Sequence, residues 1–160
     1  MKLNFEQVKA YIPHREPFLF VDSIESLEYE GEGPFSCLKD LIGGVVEANF
    51  SVKEDLEILR GHFPGNPVLP GVVQVEMMAQ ASIFITFELF EDPYNVDLEV
   101  ALLGVKDSKF RKPVVPGMEL KIKSKMIKAR GQIMSFEAEI SSGDEIVSQA
   151  SFLASFSQRN

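Results

Sequence analysis

The sequence predicts an α+β fold, an antiparallel sheet wrapped around one long central helix, and three observations predict it. Residues 72–90 run without glycine or proline and are apolar on most faces. Between residues 100 and 156, several runs alternate apolar with polar side chains, the period of half-buried strands. Two glycine-bearing stretches, Arg130-Gly131-Gln132 and Ser142-Gly143-Asp144, are short enough to join those runs as hairpins. A helix with no polar face needs cover on every side, and the sheet supplies it.

Taken in order, Phe5, Val8, Tyr11 and Ile12 fall three to four residues apart, which reads as a short amphipathic helix ended by Pro13. Phe18-Leu19-Phe20-Val21 is a compact apolar run with strand character. Gly31, Gly33, Pro34, Gly43 and Gly44 break every pattern between residues 25 and 60, and one strand is expected there, over residues 45–52. Turn chemistry fills residues 61–71, with Pro64-Gly65 and Pro70-Gly71, and stops where the helix begins. Nineteen residues of α-helix span about 30 Å, enough to cross a small domain. Four strands follow: residues 100–106; Leu120, Ile122 and Met126 against Lys121, Lys123 and Lys125; Met134, Phe136, Ala138 and Ile140; and Ile146, Ala150, Phe152, Ala154 and Phe156.

A chain of 160 residues fits one domain over residues 1–160. Sixteen basic against twenty-four acidic residues give a net charge of −8, the wrong sign for nucleic acid. One cysteine and two histidines are too few for a Cys/His zinc site. Gln74, Glu76, Gln80, Ser82 and Glu88 interrupt the apolar segment, which argues for burial in protein rather than membrane insertion. The first residues lack the apolar stretch of an export signal, so the expected location is cytoplasmic.

The chemistry concentrates in residues 61–80. His62 lies in a loop stiffened by glycine and proline, and Glu76 lies in the second turn of the apolar helix. Apolar surroundings favour the neutral carboxyl group, making Glu76 a candidate acid with His62 as its opposite, a candidate base. The N–H groups near Gly71 and Val72 open the helix, so they lack intrahelical acceptors and can stabilise an oxyanion, while glycine lets a ligand come close. Gln80, one turn beyond Glu76 on the same face, can hold the carboxyl group or satisfy itself. Taken singly, a loop histidine is more often structural, and a glutamate in an apolar helix can simply lie on an exposed stripe.

Together these residues carry a resemblance. Gly61-His62-Phe63-Pro64-Gly65, then Pro67-Val68-Leu69-Pro70-Gly71-Val72, then Glu76 with Ala79-Gln80, resembles the active-site signature of the (3R)-hydroxyacyl-(acyl-carrier-protein) dehydratases of fatty-acid synthesis, the FabZ type. Residues 13–22, Pro13-His14-Arg15-Glu16-Pro17-Phe18-Leu19-Phe20-Val21-Asp22, look like that family's amino-terminal motif, and residues 109–117 look like its motif entering the later strands. The resemblance implies a hotdog fold and a homodimer with paired sites at the subunit interface, often built further into a hexamer, a trimer of dimers. It implies removal of water from a 3-hydroxyacyl thioester carried by acyl carrier protein, with no metal and no organic cofactor. Carried over by position, His62 of one subunit takes a C2 proton, Glu76 of the other protonates the departing C3 hydroxyl, and the Gly71 N–H polarises the thioester carbonyl. Val72, Phe63 and Gln80 complete the substrate-binding set, and Phe84 and Phe87 are candidates to line an acyl tunnel. The related FabA type carries aspartate at the position of Glu76, which favours dehydration without isomerisation here. His14 and Arg15 read as structural, because their motif is mainly apolar anchoring.

Nine of the sixteen basic residues fall between residues 101 and 130 with only two acids, Asp107 and Glu119. Such a segment on an otherwise acidic chain can steer an acidic partner such as acyl carrier protein, and Lys109, Arg111 and Lys112 are the candidate contacts. Lys121, Lys123 and Lys125 fit a solvated strand face equally well. Two other functions remain compatible with the fold: an acyl thioesterase, and a non-catalytic protein that binds acyl thioesters.

Overall fold

The computed structural model describes residues 1–159. Its first element is helix α1 (Phe5–Tyr11), opened by a capping box in which Asn4 accepts from the Gln7 N–H and the Gln7 side chain accepts from the Asn4 N–H. Six strands follow around a second helix: β1 (Ser23–Glu28), β2 (Val45–Ser51), α2 (Gly71–Ile83), β3 (Leu98–Phe110), β4 (Glu119–Arg130), β5 (Ile133–Ser142) and β6 (Glu145–Gln158). They form one antiparallel sheet in the order β1-β2-β4-β5-β6-β3. The hairpins at residues 130–133 and 142–145 are two-residue turns in which Gly131 and Gly143 supply the positive φ, +59° and +57°.

Register follows the hydrophobic alternation. Along β4, Leu120, Ile122, Ser124 and Met126 point to the helix and are buried, while Lys121, Lys123 and Lys125 point out. The outward lysines meet acids from neighbouring segments: Lys123 lies 3.4 Å from Glu47, and Lys125 lies 3.4 Å from Glu30. Opposite charges across strands keep this face solvated and internally neutralised, the plainer of the two roles open to these lysines.

Inside the sheet lies α2, with ten of its thirteen residues buried. Residues 71–89 are apolar enough in composition to cross a membrane, and here that segment is largely buried against the chain's own sheet. It is α-helical only to Ile83 and continues as a 3₁₀ segment over Phe84–Leu89, which corrects the expectation of nineteen α-helical residues. The run Ser82-Ile83-Phe84-Ile85-Thr86 explains the change. Its β-branched residues are poor helix formers, and the Ser82 and Thr86 hydroxyls donate to the Met78 and Ile83 carbonyls, at 2.6 and 2.7 Å. Thr86 Oγ1 also meets the Tyr11 hydroxyl at 2.8 Å, a buried contact; burial pushes the pKa of that phenol up.

Phe84 and Phe87 are core residues, not tunnel walls. Both are buried and pack on Tyr11, with ring centroids 5.3 and 4.9 Å away. Phe84→Ala is therefore expected to cost about 3–5 kcal/mol of stability in denaturant unfolding, with no change in preferred acyl length among the molecules that stay folded.

The segment 18–21 joins no ladder, contrary to its strand character. The Phe20 N–H donates to Gln80 Oε1 at 2.8 Å, and the Phe18 carbonyl accepts from Gln80 Nε2 at 3.0 Å. A buried glutamine on α2 thus takes the place of a neighbouring strand, and sheet pairing begins only at Asp22, whose N–H reaches the Asn49 carbonyl.

Candidate active site

Two backbone bridges shape the loop before α2. The Val68 N–H donates to the His62 carbonyl at 2.8 Å, and between them Phe63 and Asn66 exchange bonds of 3.0 and 2.9 Å around Gly65, which sits at φ +73°. The His62 ring closes the same bridge, its Nδ1 lying 2.7 Å from the Val68 carbonyl. A carbonyl can only accept, so Nδ1 carries the hydrogen, and in the neutral ring the lone pair is on Nε2, the tautomer a base requires. Phe63 stacks on the ring, with centroids 4.1 Å apart, and is otherwise half exposed.

The loop reaches α2 through Leu69, whose N–H donates to the Val114 carbonyl, and Pro70, which caps the helix. The Pro70 carbonyl receives the N–H groups of Val73 and Gln74, while those of Gly71 and Val72 meet no acceptor among the described residues. At Gly71, a Cβ would stand 2.9 Å from the Phe110 ring, so the glycine allows β3 to approach the helix end. The Val72 side chain is 78% exposed.

Glu76 stands one turn further along, with four-fifths of its side chain shielded. Its Oε1 accepts from Gln80 Nε2 at 2.9 Å. Gln80 is fully buried and has its amide fixed by the Phe18 and Phe20 backbone, so both expected roles are filled at once: it satisfies itself and it holds the carboxyl group. The same Oε1 lies 3.3 Å from His14 Nε2. Within that mainly apolar motif, the His14 ring faces the carboxyl group. Arg15 does serve the backbone, donating to the Ile12 and His14 carbonyls at 2.8 and 2.6 Å. The signal for His14 was present in the sequence, a polar ring following Pro13 in an apolar motif, but only the chain's path across α2 shows what it meets.

His14, Glu76 and Gln80 line a pocket between α2 and the sheet, whose apolar wall includes Ile83, Leu102, Met134 and Phe136. Polar groups set in an apolar wall suit a ligand with a reactive head and a hydrocarbon tail. His62 lies outside that lining, so one chain does not assemble the two candidate catalytic groups around this pocket. Of the basic candidates, Arg111 donates two bonds to Gln149 Oε1, Lys112 pairs with Glu145, and Lys109 lies on the outer face of the sheet beside Lys123 and Glu139. Among the described residues no group of three or more His, Cys, Asp or Glu side chains is placed to hold a metal ion.

Comparison with known proteins agrees over nearly the whole chain. A family model described as a FabA-like domain matches residues 12–151. The 3-hydroxyacyl-(acyl-carrier-protein) dehydratase FabZ of Erythrobacter litoralis is 34% identical over 151 residues, 94% of this chain and 91% of that protein. The FabZ dehydratase of Sulfurovum is 32% identical over 157 residues, 96% of this chain and 97% of that protein. Among solved structures, the dehydratase heterocomplex ApeI:P of Xenorhabdus doucetiae superposes with a TM-score of 0.64 at 20% identity, covering 96% of this chain and 91% of that one. The fluoroacetyl-CoA thioesterase FlK superposes with a TM-score of 0.60 at 12% identity, covering 79% of this chain and 90% of that one. At such identities the two structures show a shared hotdog fold and nothing about chemistry.

Proposed function

This chain belongs to the FabA-like family, and from that premise we propose that it dehydrates 3-hydroxyacyl groups carried by acyl carrier protein to trans-2-enoyl groups in fatty-acid synthesis. The observation that carries the reading is Glu76: a carboxyl group lining a largely apolar pocket, with one oxygen already bound by Gln80. The other oxygen is left for a proton on its way to a leaving hydroxyl. In this reading His62 Nε2 takes a proton from C2, the electron pair forms the C2–C3 double bond, and the C3–O bond breaks as Glu76 protonates the oxygen, releasing water. The Gly71 N–H stabilises negative charge on the thioester oxygen, with Val72 and Phe63 flanking it. The chemistry needs no metal or organic cofactor, and residues 1–160 act as one domain of a cytoplasmic enzyme.

Because His62 lies outside the Glu76 pocket, the reading takes His62 from a second copy. The surface that supports this is β3, an edge strand of thirteen residues. Leu102, Leu103, Val105 and Phe110 are each at least two-fifths exposed on it, and its first residues wall the Glu76 pocket. Exposed apolar side chains on an unpaired edge suit two-fold pairing with an identical strand, which brings each histidine loop to the other subunit's carboxyl group. Further assembly to a hexamer, a trimer of dimers, is what the family resemblance implies. Lys109 lies near the end of the same strand and Arg111 and Lys112 just beyond it, before Val114, which holds the histidine loop; a cationic segment there is suited to the acidic carrier and its phosphopantetheine phosphate.

The test is hydration of a trans-2-enoyl thioester, on carrier protein or coenzyme A, followed by loss of the conjugated absorbance. The expected result is a signal that requires the folded protein. Free thiol without hydration identifies a thioesterase, and neither product identifies a binding protein.

A further inference from the structure

We propose that His14 is a positioning residue for Glu76: by facing Oε1 beside the Gln80 amide, it leaves Oε2 as the oxygen that carries the proton to the substrate. The inference rests on the dehydratase reading and deepens it.

A carboxylic acid has one oxygen that accepts and one that bears hydrogen, and a general acid works only when the latter faces the substrate. Here the choice is made by the surroundings. Gln80 Nε2 donates to Oε1 at 2.9 Å, and the amide cannot turn over, because its own oxygen receives the Phe20 N–H. His14 Nε2 meets the same oxygen at 3.3 Å. With Oε1 holding the Gln80 N–H and faced by the His14 ring nitrogen, a proton on that oxygen would displace the first and crowd the second, so the acid carries it on Oε2. After transfer the new carboxylate keeps the Gln80 bond and the His14 contact and starts the next cycle in the same rotamer.

The rest of the histidine's environment points to this single task. Its Nδ1 is buried and has no hydrogen-bond partner among the described residues, so the ring's one polar contact is Glu76. Leaving a buried nitrogen unpaired costs stability, and a phenyl ring would fill the same space without that cost. The backbone is braced on both sides of the ring, since Arg15 binds the Ile12 and His14 carbonyls and the Phe18 N–H returns to the Arg15 carbonyl. One braced segment, residues 12–20, thus supplies His14 directly and Gln80 indirectly to one oxygen of one carboxyl group.

Steady-state kinetics of enoyl hydration with His14→Phe and His14→Gln test this, with thermal melting as the check on folding. His14→Phe removes the N–H and keeps the volume; it is expected to lower kcat about 10- to 100-fold with KM within about twofold of wild type. His14→Gln places an amide N–H near the Nε2 position and is expected to return kcat to within about threefold of wild type. Combined with Glu76→Gln, His14→Phe is expected to cause no further loss, because the group it positions has gone. A folded His14→Phe enzyme with wild-type kcat overturns the proposal, as does a His14→Gln enzyme as slow as His14→Phe, or an equal loss when Glu76 is already replaced. A folded wild-type protein inactive on both thioesters overturns the dehydratase reading itself, and the role of His14 with it.

Discussion

Glu76→Gln is expected to reduce turnover by about 10³-fold while leaving the melting temperature near that of wild type. The substitution is close to a surgical one because of how the carboxyl group is held. A glutamine oxygen at the Oε1 position still accepts from Gln80 Nε2 and still faces His14 Nε2, so the contacts that tie α2 to residues 12–20 survive. The amide nitrogen takes the Oε2 position, where it can donate a hydrogen bond but cannot give up a proton to a departing hydroxyl. Kinetics and melting are read on the same preparation. Full activity would remove Glu76 from the mechanism; loss of activity with loss of fold would show that the clamp holds the structure rather than the acid.

The second large effect concerns two inactive proteins that make an active one. His62→Ala is expected to lose activity by about 10²- to 10⁴-fold, as Glu76→Gln does. When the two variants are unfolded together and refolded at equal concentration, half of the resulting dimers are hybrids. In a hybrid, one site combines both damaged residues and the other combines both intact ones. Recovered activity is expected at about one quarter of wild type, from two-fold symmetry alone. A site contained within one chain predicts no recovery, because neither chain then holds a complete pair. That outcome would require His62 to reach Glu76 within a subunit, which the lining of the pocket argues against.

The parts of this molecule that are legible in the sequence share a physical cause: side chains that alternate, or recur, with the period of the backbone that carries them. Strands β4, β5 and β6, both glycine hairpins and the start of α2 at Gly71 follow from that period and from turn chemistry. What the sequence hides are substitutions of one kind of partner for another. The run at residues 18–21 has the composition of a strand, but its hydrogen bonds go to the Gln80 side chain, sixty positions away, and no local pattern encodes that. The end of α2 depends on two hydroxyls turning back to helix carbonyls at Met78 and Ile83, which an apolar count overlooks. His62 and Glu76 stand out because of their setting, a stiff loop and an apolar helix. His14 does not, since its meaning lies wholly in a tertiary contact.

The two margins of the sheet give the protein an unequal shelf life in solution. Strand β1 is short, interrupted by a bulge between Ile24 and Ser26, and bridged at Ile24 by Leu3 from the amino-terminal segment, so little of it is free to recruit another chain. Strand β3 is more than twice as long and open along one side, with Leu102, Leu103, Val105 and Phe110 among its exposed residues. An unpaired subunit therefore carries a ready template for irregular stacking. If β3 pairs with its copy as proposed, the rate at which subunits come apart, rather than the stability of the core, is expected to limit how long a stored sample stays clear.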